Sequence, residues 1–227
     1  MEINADFSQP AFARTSAMEW VPSPMPGVDR RMLDRLGNEV ARATSIVRYA
    51  KGSSFSEHTH SGGEEFIVLE GVFQDEHGDY PAGTYVRNPV GTHHVPRSAP
   101  GCTILVKLWQ FEPDDQEQIA IDLTILPLAQ DPARPGVSRA ILAKRDYENV
   151  SLEEWDASVM ADLAGEGRAE ALVLEAGFAH GGGEYGRHAW IRLPPGQKAE
   201  LTASANGLRL WIKRDHLRTI RDPAHVA

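Results

Sequence analysis

Residues 65–91 (EFIVLEGVFQDEHGDYPAGTYVRNPVG) and 170–196 (EALVLEAGFAHGGGEYGRHAWIRLPPG) repeat one another at a constant offset of 105. Val68, Leu69, Glu70 and Phe73 recur as Val173, Leu174, Glu175 and Phe178. Gly78, Tyr80, Arg87, Pro89 and Gly91 recur as Gly183, Tyr185, Arg192, Pro194 and Gly196. Tyr85 meets Trp190, which keeps an aromatic, and after one inserted residue LVK (105–107) meets WIK (211–213). Solenoid repeats run to roughly 20–50 residues, so a period this long is that of a whole small domain. A chain of 227 residues is therefore expected to fold as two copies of one architecture.

That architecture reads as β. The runs TSIVRYA (44–50), EEFIVLEGVF (64–73), TYVRNP (84–89) and TILVKLWQF (103–111) are rich in β-branched and aromatic residues and are broken by Gly, Pro, Asp or Asn. Short strands at such regular spacing suggest a sandwich or a barrel. One stretch competes: SLEEWDASVMADL (151–163) has a Ser-x-x-Glu capping box and apolar residues at 152, 155, 159, 160 and 163, a helical signature. The repeat register sets it opposite strands of the first copy and favours strand. EPDDQEQ (112–118) has no apolar residue and DPARPG (131–136) is a second break. The expected organisation is a first domain over 1–112, a linker or extended segment over 113–138 and a second domain over 139–227.

Charge and cysteine content narrow the function classes. The net charge is −9 and Lys and Arg do not cluster, so a surface that tracks phosphates, and with it a nucleic-acid partner, is not expected. MEINADFSQPAF at the N-terminus lacks the apolar core of a signal peptide, and no apolar run approaches 18 residues. Cys102 is the one cysteine; it excludes an internal disulfide and a cysteine-rich zinc site, and a packed thiol is the simpler reading of it than a redox sensor. A cytoplasmic protein without membrane contact is expected.

The chemistry concentrates in KGSSFSEHTHSGGEEFIVLEG (51–71). Residues i and i+2 of a strand share a face, so His58 and His60 sit about 6–7 Å apart at Cα and can reach one metal ion. The glycines of SGG allow a sharp turn, after which Glu64 opens the returning strand and can supply a carboxylate oxygen. A fourth ligand is expected from GTYVRNPVGTHHVPRS (83–98), which holds His93 and His94. Glu65 points away from Glu64 and reads as structural, whereas Phe66 and Val68 share the face of Glu64 and are candidates for lining the site. Arg87 and Arg192, at one repeat position, read as structural salt-bridge partners. His77 and His180 lie in turn-like DEHGDY and AHGGGEY, and His188, His216 and His225 have no companions at ligand spacing.

Gly52-x5-His58-x-His60-x3-Glu64-x6-Gly71 and Gly83-x5-Pro89-x-Gly91-x2-His94 resemble the two motifs of the cupin superfamily, with Ser98 where Asn is common. The resemblance implies an all-β fold of two tandem double-stranded β-helix (RmlC-like jelly-roll) barrels and a metal site of His58, His60, Glu64 and His94. The stretch from about 40 to 110 is similar to the cupin domain of ChrR-type anti-sigma factors. That similarity implies zinc and a regulatory role, sensing a ligand or oxidative stress. In that family a separate helical N-terminal domain with its own zinc site grips the sigma factor, and this chain enters its cupin sequence almost at once.

At the offset of 105 the ligands fall on Leu163, Gly165, Ala169 and Ala199, none of which can bind a metal. The second barrel is thus expected to be degenerate, kept for packing, for dimer formation or for capping a ligand. One divalent transition metal per chain follows, zinc first and iron, manganese or nickel as alternatives, since three imidazoles and a carboxylate suit them all. The partners expected are a small-molecule ligand or a regulatory protein, and a second copy in a homodimer. The competing reading is an iron-dependent cupin dioxygenase of a small diketone or aromatic ketone.

Overall fold

A computed structural model describes residues 1–38, 40–163, 168–216 and 220–223. Their regular structure is strand, apart from one 3-10 turn at Thr15–Ala17. No helix among them is long and apolar enough to cross a membrane. The stretch with a helical signature forms strands Asn149–Trp155 and Met160–Asp162, as the repeat register requires.

The chain divides into two compact units. The first comprises 1–5, 19–125 and the C-terminal segment from 221; the second comprises 6–18 and 126–220. Each is built on an antiparallel sheet with the same strand order. In the first unit the order is Glu2–Ile3, Val28–Gly37, Ala41–Tyr49, Cys102–Leu108, Glu64–Gln74, Thr84–Asn88, Ile119–Asp122. In the second it is Ala129–Gln130, Val137–Lys144, Asn149–Trp155, Glu200–Arg214, Ala169–His180, Trp190–Leu193, Ala11–Ala13. Register repeats as well: Phe66 pairs with Val106 as Ala171 pairs with Ile212, and Arg87 with Glu65 as Arg192 with Glu170.

The edge strands divide the chain differently from 1–112, 113–138 and 139–227. Ile119–Asp122 lies in the segment read as a linker, yet it pairs with Thr84–Asn88 and completes the first sheet. Ala11–Ala13 lies in the stretch read as part of the first domain, yet it pairs with Trp190–Arg192 in the second unit. Both edge strands are short, and hydrophobic alternation over three or four residues is too brief to reveal which sheet each one joins.

Strand alternation gives each sheet two buried faces. One carries the core. Val68, Phe73, Val86, Ile104 and Val106 in the first unit have as counterparts Val173, Phe178, Ile191, Leu210 and Ile212 in the second. The other face holds an ionic arrangement that also repeats. Tyr85 Oη donates to Glu65 at 2.9 Å, and Arg87 bridges Glu65 and Asp115 at 3.5 and 2.6 Å, with its guanidinium 4.3 Å from the Phe111 ring. In the second unit Trp190 Nε1 donates to Glu170 at 2.8 Å, and the Arg192 guanidinium lies 4.3 Å from the Phe7 ring. Glu65 and Arg87 are thus structural, as expected. Cys102 is buried in the first core, and burial pushes its thiol up to about 11, so it is packed and protonated near neutral pH.

Candidate metal centre

Three segments of the first unit bring the donors together. His58–Thr59 pairs with His93–His94, which sets His94 directly across from His58. His60 follows at the turn, where its N–H donates to the Thr92 carbonyl and its carbonyl accepts from Gly91 N–H. The turn closes on Gly63, at φ +74, where a Cβ would run into the Phe111 ring. Glu64 then opens the strand Glu64–Gln74 and pairs with Asn88 and Leu108. His60, Glu64 and His94 are buried, and His58 is half-buried at the edge of the group. His93, one residue before His94, points the other way and is exposed.

The donor atoms converge. His60 Nε2 lies 3.2 Å from His94 Nε2 and 3.3 Å from Glu64 Oε2, and His94 Nε2 lies 3.5 Å from that same oxygen. One atom from each of His58, His60, Glu64 and His94 falls within 4.8 Å of all the others. Ligand bonds of about 2.1 Å put donors about 3.0–4.2 Å apart, so the set closes on one ion with shifts of a few tenths of an ångström.

Hydrogen bonds at the far nitrogens fix what each imidazole offers. His58 Nδ1 is 3.2 Å from the Ser56 carbonyl, which can only accept. His60 Nδ1 is 2.9 Å from Thr92 Oγ1, whose own proton goes to the Pro89 carbonyl at 2.7 Å. His94 Nδ1 is 3.1 Å from Asp75 Oδ2. All three rings therefore carry their proton on Nδ1 and turn the Nε2 lone pair inward. Glu64 Oε2 is held by the Asn88 amide at 3.3 Å. Lone pairs and a carboxylate this close repel one another unless a cation joins them, and the residues present fit a divalent transition metal.

The electrostatics agree. Burial, helped by repulsion from His94 and His58, outweighs Glu64 and holds His60 below the ordinary imidazole pKa. Burial acts the same way on His94, but the Asp75 hydrogen bond and the charges of Glu64 and Asp75 outweigh it and raise that pKa. Aromatic rings surround the group. Phe55 lies 6.2 Å from His58 and Phe73 5.7 Å from His94 by centroid, with Tyr49, Phe66 and Tyr80 packed around Phe73.

The second unit presents nothing comparable among its described residues. Leu163, Ala169 and Ala199 are buried in its core; Gly165 and His225 lie outside the described residues. His180 Nδ1 bonds the Glu200 carbonyl and its ring stacks on Phe12, and His216 is buried against Glu170 at 3.0 Å. The position of Leu108 is taken by Arg214, whose guanidinium reaches the Leu163 carbonyl, Ser151 and Glu153. An ion cluster thus stands beside the positions that carry the donors in the first unit. Sequence reading missed Asp75, Thr92 and Asn88, because they lie in turns and at strand ends with no spacing rule to mark them.

A jelly-roll barrel with three histidines and a glutamate turned to one interior point defines a class, and the chain has the cupin fold. Within it, residues 8–112 match the family model described as ChrR Cupin-like domain. No curated protein matches the chain in sequence. Among solved structures, a candidate dioxygenase from Nostoc punctiforme PCC 73102 is similar at 16% identity and TM-score 0.74, over 97% of this chain and 85% of that one. Protein Ylba from E. coli is similar at 12% identity and TM-score 0.69, over 95% and 94%. Salicylate 1,2-dioxygenase from Pseudoaminobacter salicylatoxidans, in adducts with gentisate, is similar at 12% identity and TM-score 0.66, over 92% and 81%. At such identities the likeness is one of fold, and it extends over both barrels.

Proposed function

We propose that the protein is a single-metal bicupin enzyme, a dioxygenase that cleaves a small diketone or aromatic ketone at the centre formed by His58, His60, Glu64 and His94. The observation that carries this reading is the convergence of one donor atom each from His58, His60, Glu64 and His94, all within 4.8 Å of one another. A six-coordinate ion held by these four residues would keep positions for the oxygen atoms of a chelating ketone or enolate. Iron(II) would supply the redox chemistry. The chain's own residues orient and enclose: Asn88 steadies Glu64, while the rings of Phe55, Phe73 and Tyr80 exclude water and offer apolar walls. Burial and the neighbouring Asp75 push Tyr80 up to about 12. Dioxygenases among the solved structures of the same fold support the assignment.

Protein purified without added metal is expected to carry one transition metal per chain. After reconstitution with Fe2+ it is expected to consume O2 with a member of a diketone and aryl ketone panel, and His94→Ala is expected to abolish uptake. Absence of uptake across the panel in iron-loaded protein would reject the catalytic reading.

A second reading rests on the match to the ChrR Cupin-like domain over residues 8–112. In it zinc fills the same four donors as a closed site, and the protein is a cytoplasmic homodimer that senses a ligand or oxidative stress. Zinc as the native metal, together with a protein partner captured only in the metal-loaded state, is the outcome that selects it. In either reading the chain alone is not expected to bind a sigma factor, and a pull-down against the sigma factors of the source organism checks this.

A further inference from the structure

We infer that Asp75 is a positioning residue of the metal centre: anchored in a β-turn, it fixes the tautomer of His94 and strengthens that histidine as a ligand. This rests on the metal reading above. Asp75 is buried, and its carboxylate serves the turn and His94, with the Tyr80 side chain as a further hydrogen-bond partner. Oδ1 accepts the backbone N–H groups of His77 at 2.8 Å and Gly78 at 3.1 Å, while Asp75 N–H donates to the Gly78 carbonyl at 3.1 Å. Those bonds hold the carboxylate rigidly, so that Oδ2 faces His94 Nδ1 at 3.1 Å. The next residue holds the backbone just past His94: Glu76 accepts the N–H of Val95 at 2.9 Å.

Charge separates this contact from the other two. His58 leans on a carbonyl and His60 on a hydroxyl, so only His94 donates to an anion. A charge-assisted bond is roughly twice as strong as a neutral one, and it pushes electron density toward Nε2.

The chain supplies its own control. At the offset of 105, Asp75 becomes His180, while the turn residues Gly78 and Tyr80 persist as Gly183 and Tyr185. The corresponding hairpin still forms in the second unit, with His180 paired to Gly183. The turn therefore does not need the aspartate. Asp75 is absent from the copy that lacks the ligands, together with Asn88 and Thr92, whose places are taken by Leu193 and Gln197.

The test is Asp75→Asn, which keeps the shape and an Oδ1 acceptor while removing the charge. Co2+ titration of metal-free protein, followed by its visible absorption and by competition with a chelator, reads the site without turnover. Expected are about 10–100-fold weaker Co2+ binding and a shifted visible band, with Gln74→Ala, in the same hairpin, unchanged. In wild-type protein loaded with Zn2+, long-range 1H–15N spectra should show the His94 Nδ1 proton downfield of those of His58 and His60; this measurement stands even where the variant does not fold. Equal affinity and an unchanged band in Asp75→Asn, or a His94 ring without a proton on Nδ1, would overturn the inference. A wild-type protein that binds no Co2+ would instead reject the metal reading on which it rests.

Discussion

Glu64 and Glu65 are neighbours of one residue type with opposite fates, and the pleat of the strand decides between them. Glu64 turns to the barrel interior and the three histidines; Glu65 turns to the other face, where Tyr85 and Arg87 hold it. Glu64→Gln is therefore expected to lose bound metal on dialysis while its metal-free form stays within about 1 kcal/mol of wild type, since removing one member of a repelling donor set costs little. Glu65→Gln is expected to keep one ion per chain but to lose about 2–3 kcal/mol, because it weakens a hydrogen-bonded ion pair away from water. Metal analysis and urea unfolding of the two variants check this, and a reversed pattern would place the site on the wrong face. At this scale the meeting of the four candidate donors was legible in the sequence, because motif spacing fixes which residues come together. Asp75 was not: DEHGDY reads as a solvated turn, and only the fold carries it to His94.

At the scale of elements, sequence and structure agree wherever the repeat can arbitrate. The capping box at Ser151 argued for a helix, but Asn149–Trp155 is a central strand beside Glu200–Arg214, since tertiary pairing outweighs a local signal. That strand puts Ser151, Glu153 and Trp155 on one face. Arg134 and Arg214 both meet Glu153, at 2.7 and 3.0 Å to Oε1, and Trp155 Nε1 donates to Oε2 at 3.0 Å. Burial raises the Glu153 pKa, but the charges of Arg214 and Arg134 outweigh it and hold the carboxyl below its usual range. A depressed folded-state value adds stability that is present above the unfolded-state pKa, about 4.3, and is lost as pH falls through the folded-state value. Glu153→Gln is expected to cost about 3 kcal/mol at pH 7, with the gap to wild type narrowing below about pH 4. Thermal unfolding from pH 3 to 7 measures it, and parallel pH profiles for the two proteins would refute it. None of this cluster was legible, because Arg214 takes the place of an apolar residue without any motif to announce it.

For the whole molecule, the repeat predicted two like folds but not which segments complete them. The second sheet ends on Ala11–Ala13, nearly 180 residues from its pairing partners Trp190–Arg192. Phe12 packs on the second core, its ring 5.3 Å from His180 and 5.8 Å from Tyr185. Such a pairing closes a very long loop, whose entropy grows only slowly with length, so the strand must be held by side-chain burial more than by its three residues of ladder. Phe12→Ala is therefore expected to lower stability by about 1–3 kcal/mol, below the usual range for a fully buried phenylalanine because Phe12 is only half-buried. The loss should fall in the second unit. Hydrogen–deuterium exchange read by mass spectrometry should show faster exchange over 137–155 and 169–214, while 41–49 and 64–108 keep their protection and the protein keeps its metal. Faster exchange over 64–108 would instead assign the N-terminal strand to the metal-binding barrel, as the boundary at residue 112 had it.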